Sequence, residues 1–147
     1  ASHYAAIRAQ PEHSVDRVPD TSVVPSWLMK LDDFNDFCGS LPASSHVIQW
    51  GEAHVWKVGG KVFAIGGWTD GERLGITFKT TPEEYDFLIE IDGVRPAPYL
   101  ASRGFTWAQD YAEPGLDEDD MREQIIESHR LVAIGLSKRK RKELGLS

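Results

Sequence analysis

The segment WKVGGKVFAIGGWTDGERLGITFK, Trp56 to Lys79, constrains the fold most because it carries two tight-turn signals at a fixed separation. Gly59 and Gly60 tolerate the positive φ that a two-residue hairpin loop demands, which sets Val58 opposite Lys61. Asp70 and Gly71 make a second such loop, with Thr69 opposite Glu72. Counting outward from both turns predicts Trp56 opposite Phe63, Phe63 opposite Phe78, Ile65 opposite Ile76 and Gly67 opposite Leu74, all on one face. That face is the expected core. The other face carries Val55, Lys57, Val62, Ala64, Gly66, Trp68, Arg73, Gly75, Thr77 and Lys79, with no acid among them. It reads as flat, cationic and partly aromatic, with Arg73 paired to Trp68 across the strands.

Helical spacing flanks this meander. Trp27, Leu31, Phe34, Cys38 and Leu41 recur every three or four residues, which predicts an amphipathic helix closed by Gly39 and Pro42. Thr81 as cap, Pro82 at the first helical position and Gly93 as a stop predict a short second helix. Phe105, Trp107, Gln109 and Tyr111 alternate as a strand. A long helix follows, interrupted near Gly135, with Met121, Ile125, Ser128, Leu131 and Val132 on its buried side and Ser137 capping a last short helix. Residues 1–28 hold three prolines and no sustained period, so they read as an N-terminal extension, and 29–147 as one domain.

The formal charge of −7 over 147 residues argues against general polyanion binding, so any nucleic-acid role has to come from a local patch. Two charge runs have plain electrostatic readings. Asp117 to Asp120 and Lys138 to Lys142 sit where acids and bases favour the two ends of the long helix. Solvated surface is therefore the first reading of the basic run, and phosphate contact the second. No P-loop, GxGxxG, GxSxG, HExxH or paired CxxC occurs, so an enzyme is not the expectation, and neither a cofactor nor a metal site is assigned. Glu52 and His54, with His46 upstream, could face one metal, but the register puts His54 on the apolar face as a hydrogen-bonded histidine at the core's edge. The single cysteine, Cys38, reads as a buried thiol. Without an apolar membrane span or a signal-peptide pattern, a cytoplasmic location is expected.

In order along the chain, FCGSLP at Phe37 to Pro42, WG at Trp50 and Gly51, VGGKVFA at Val58 to Ala64 and TFK at Thr77 to Lys79 resemble the YjbR/MmcQ family of small bacterial proteins, commonly labelled DNA-binding. Pro82, PY at Pro98 and Tyr99, Trp107, ESHRLVAIGL at Glu127 to Leu136 and the basic close of the chain continue the resemblance. It implies a two-layer α+β domain with an antiparallel sheet covered by helices on one face, in the order α-β(3)-α-β(2)-α, with a secretion-chaperone-like or frataxin-like arrangement. Lys61, Lys79 and Trp107 match motif positions, whereas His129 stands where the family often has tyrosine.

The leading functional expectation is a non-enzymatic DNA-binding domain. Lys57, Trp68, Arg73 and Lys79 would form its face, helped by Lys61, Arg95, Arg103 and the terminal Lys138, Arg139, Lys140 and Arg141. A module that presents the sheet face or a strand edge to a protein partner is the alternative. A small-molecule binder with a pocket near Trp50, Trp107 and His129 is the third.

Overall fold

The computed structural model describes residues 28–67, 73–98 and 106–146. Helix α1 (Leu31–Gly39) opens the described fold and is followed by strands β1 (Ser44–Gln49), β2 (Ala53–Val58), β3 (Lys61–Gly66) and β4 (Ile76–Lys79). Helix α2 (Pro82–Leu88), strands β5 (Val94–Pro96) and β6 (Trp107–Asp110), and helices α3 (Glu118–Ile134) and α4 (Lys138–Glu143) complete it. The six strands form one antiparallel sheet in the order β1-β2-β3-β4-β6-β5. The mixed α+β class is as the sequence implies, with one strand more than expected. That strand is β1, whose residues are mostly exposed and show no in–out alternation from which a strand could be read.

The helix boundaries follow local chemistry. Thr81 accepts a hydrogen bond from the Glu84 amide at 3.2 Å, and Pro82 occupies the first turn of α2, where its missing N–H loses nothing. The helix stops sooner than the expected Gly93, at Leu88 with Ile89 as its C-cap; Gly93, at φ 94°, instead leads the chain into β5, and a Cβ there would run into the Ala112 carbonyl oxygen. Asp117 caps α3 by accepting from the Asp120 amide at 2.9 Å, with three acids in the first turn beside the positive end of the helix dipole.

Helix α3 lies across β3 and β4 and reaches β2, while α1 packs on β1, β2 and β3. Phe34 and Cys38 from α1, Met121, Ile125 and Val132 from α3, and Trp56, Phe63, Ala64, Ile76 and Phe78 from the sheet make one buried core between the layers. Burial pushes the Cys38 thiol well above its ordinary pKa, as expected for an unreactive core cysteine. On the opposite face Ala53, Val55 and Ile65 form a second buried cluster. None of the described helices is long and apolar enough to cross a membrane.

The Gly59–Gly60 turn sets the register as predicted for Val58 with Lys61 and Lys57 with Val62. Beyond it the ladder shifts by one residue: Trp56 pairs with Ala64, not Phe63, and Phe78 also pairs with Ala64. Phe63 is the extra residue of a β-bulge, so both Phe63 and Ala64 reach the main core. The slip moves Ile65 to the second face, opposite Val55 and Thr77, and turns Gly66 toward the helices, where Phe34 packs on it. Ser128 of α3 completes the interrupted ladder. Its hydroxyl accepts from the Lys79 amide at 2.8 Å and donates to the Phe63 carbonyl at 2.6 Å, standing in for a missing strand-to-strand bond. The second predicted turn, Asp70–Gly71, lies outside the described residues.

Candidate cationic binding surface

One glycine brings distant cations to one end of the molecule. Gly59, at φ 60°, packs so closely on the C-terminal segment that a Cβ there would stand 2.6 Å from Leu136 and 3.3 Å from Leu144. Leu136 and Leu144 flank α4, so the turn leading to Lys61 docks against the helix that carries Lys138, Arg139, Lys140, Arg141 and Lys142. Lys61 is exposed, as are Lys138, Arg139, Lys140 and Lys142. Lys57 lies two residues before the turn and is half-buried on the second sheet face beside Val62. Lys79 points to the same face, directly opposite Trp107.

The α4 cations are not explained by the helix they follow. Helix α3 ends at Ile134 with no base in its last turn, and Gly135 caps it. The basic run belongs to a separate six-residue helix capped by Ser137, whose hydroxyl accepts from the Lys140 amide at 3.1 Å. Lys138 and Arg139 therefore occupy the positive end of their own helix, an arrangement the helix dipole opposes. The dipole reading therefore fails for these two bases, whereas Lys140, Arg141 and Lys142 lie in the last turn of α4, where the dipole favours cations. One intrahelical ion pair, Arg139 to Glu143 at 3.5 Å, joins side chains 90% and 54% exposed, where such pairs add little.

Other predicted residues are engaged within the fold. Arg73 makes a 2.6 Å ion pair with Asp110, and these side chains are only 16% and 3% exposed. Asp110 faces the same side as Ile76, among the core residues, and its second oxygen accepts from the Leu116 amide at 2.7 Å. Burial pushes the Asp110 carboxyl up from its ordinary value, against the lowering pull of Arg73 and the Leu116 amide. Arg73 thus sits on the helix side, away from Lys57 and Lys79. Arg95 donates to Gln109 at 2.9 Å and lies 4.1 Å over the Tyr111 ring. Trp68 and Arg103 lie outside the described residues.

The three residues suggested for a pocket occupy different settings. Trp107 is buried on the second face of the sheet, while Trp50 is half-exposed in the turn between β1 and β2. His129 is on the helix side, edge-on to Phe63 at 5.0 Å, with Nε2 2.8 Å from the Pro42 carbonyl. His54 contacts Asn35 and His46, at 3.3 and 3.1 Å from its Nδ1. Among the described residues no group of three or more His, Cys, Asp or Glu is placed to hold a metal ion. Sequence reasoning missed Ser128 as the bridge between β3 and β4. It also missed the docking of the Gly59 turn on α4, for which Leu136 and Leu144 on either side of KRKRK were the available signal.

A mixed α+β domain with a six-stranded antiparallel sheet, carrying a cluster of exposed cations on its last helix, is the class this architecture defines. The YjbR family model matches residues 39–131, more than half of the chain, and the protein belongs to the YjbR family. Among solved structures it is similar to a crystal structure of the Deinococcus radiodurans protein DR2400, which carries the family-model domain DUF419. The two share 24% identity at a TM-score of 0.69, over 84% of this chain and 94% of that one, a likeness of fold. No curated protein matches the chain.

Proposed function

We propose that this protein is a non-enzymatic nucleic-acid-binding domain, with DNA as the expected ligand, and that it binds through the end built from the Gly59–Gly60 turn and α4. The packing of Gly59 on Leu136 and Leu144 carries this reading, because it joins Lys61 to the basic helix on a chain whose net charge is −7. Lysine and arginine there meet phosphates, so affinity falls with salt in proportion to the number of phosphates neutralised. Lys57 and Lys79 flank this end from the second sheet face, while Arg73 and Arg95 play no part in first contact.

Fluorescence anisotropy of labelled single- and double-stranded oligonucleotides at low and near-physiological salt tests the proposal. Lys61→Glu with Lys140→Glu is expected to abolish salt-sensitive binding, and Lys57→Glu with Lys79→Glu to weaken it less. An absence of binding even at low salt, or binding indifferent to the first pair of reversals, refutes it.

A further inference from the structure

The two edges of the sheet are built differently. The β5 edge is three residues long and carries Arg95 and Pro96, both of which discourage another strand from pairing. The β1 edge is six residues long, SSHVIQ, with no proline, lysine, arginine or acid. Val47 is 37% exposed and Ile48 55% exposed on its two faces. Among the described residues no strand lies beyond β1. From Phe37 to Gly51 the sequence has no Asp, Glu, Lys or Arg, although such residues are 27% of the chain. An uncovered strand edge offers a row of unpaired N–H and C=O groups to any extended chain that can lie beside it.

We infer that this edge pairs with the same edge of a second copy of this chain, joining two sheets across a twofold axis at Val47. The strand is self-complementary in that arrangement. Antiparallel pairing about Val47 sets Val47 against its twin, His46 against Ile48 and Ser45 against Gln49, so an apolar pair lies at the axis, polar side chains meet at the ends, and no ionised carboxylate or amine opposes its like. The absence of charge favours a copy over a charged peptide, since nothing in β1 could select an acidic or a basic sequence. Each subunit carries a charge of −7, so added salt should strengthen the dimer by screening repulsion between the subunits. This is the opposite of the salt effect expected for nucleic-acid binding, and the inference stands independently of that reading.

Sedimentation velocity over a concentration series tests it on the full chain and on Ile48→Lys and Val47→Lys, with circular dichroism to verify folding. The wild-type chain should move from its 16.5 kDa monomer toward twice that mass as concentration rises, more readily at higher salt, and both variants should remain monomeric. Amide exchange on the wild type provides a second readout that needs no variant, with β1 protection rising with concentration. A wild type that stays monomeric throughout, a dimer that survives both lysines, or protection that rises elsewhere but not in β1 would each overturn the inference.

Discussion

Arg73 and the cations of α4 are alike in the sequence and opposite in the fold. Arg73 is consumed: it is nearly buried and bonded to a carboxylate that is itself buried. Lys138, Arg139, Lys140 and Lys142 are left over, exposed on a short helix whose dipole opposes the first of them. The difference comes from what the tertiary fold sets opposite each group. A buried Asp110 requires a countercharge, whereas α4 is held against the Gly59 turn by Leu136 and Leu144 and leaves Lys138, Arg139, Lys140 and Lys142 exposed. Consumed polar groups should therefore govern stability, and surplus ones binding.

The sharpest way to break this division is to remove Arg73. Arg73→Ala leaves the Asp110 carboxylate buried without its partner, and loss of one member of such a pair destabilises by about 3–5 kcal/mol. Chemical denaturation at neutral pH reads the loss directly. Its pH dependence has a definite sign. Burial already raises the folded-state pKa of Asp110, and without the guanidinium that rise should grow. A carboxyl with a raised folded pKa is a burden above that pKa and gains stability as pH falls toward its ordinary value, so the deficit of the variant should narrow on acidification. A deficit unchanged with pH would show that Arg73 acts through packing alone.

Ser128 is the uncharged counterpart of Arg73. Ser128→Ala leaves the Lys79 amide and the Phe63 carbonyl without their bridge inside the core, and an unsatisfied buried group of this kind costs about 1–3 kcal/mol. The expected signature is faster amide exchange along β3 and β4 with α1 unaffected. Restoration by Ser128→Thr would indicate that the hydroxyl, not the small volume, is what the site requires.

How much could be read in advance followed how local each cause was. Thr81 and Ser137 announced their helices because a cap bonds an amide three residues away, and the Gly59–Gly60 turn gave the first two pairs of its hairpin correctly. The register failed at Phe63 because the residue that makes a bulge tolerable there is Ser128, which lies 65 positions along the chain. Arg73 looked like surface charge because Asp110 is 37 residues away and belongs to a strand recognised only by its alternation. The strand β1 was hidden because a pattern reading depends on alternating burial, and an exposed edge has none. In the candidate site each cation was visible, while the apolar contact that groups them was not.

The surplus cations give the reverse experiment. Lys138→Glu puts an acid at the first position of α4, where the dipole favours it, while Lys140→Glu removes a base from its last turn, so the two effects offset and thermal stability should hold within about 0.5 kcal/mol. Nucleic-acid binding should nonetheless be lost. A substitution that spares the helix and removes the binding would separate the two roles in one protein, and a large loss of stability would place α4 with the consumed groups.

His46 stands between the classes, and its effect should be the smallest. It stacks on Trp56 at 4.6 Å and meets His54 Nδ1 through Nε2 at 3.1 Å, yet its strand is exposed. The Trp56 indole donates to Asn35 Oδ1 at 2.9 Å, which turns the Asn35 amide nitrogen toward His54 Nδ1 and makes that nitrogen the acceptor. His46 must then donate from Nε2. Burial, and then the neighbouring His54, lower the His46 pKa, so the unfolded chain takes up a proton more readily than the folded one. Its contribution to stability is complete above the ordinary histidine value and is lost as pH falls through that value toward the lowered one. Melting temperature should therefore drop slightly more between neutral and mildly acidic pH in the wild type than in His46→Gln, by an amount that solvent screening keeps small. Equal slopes would mean that the stacked ring is as free to charge as any exposed histidine, and would move His46 to the side of the surplus cations.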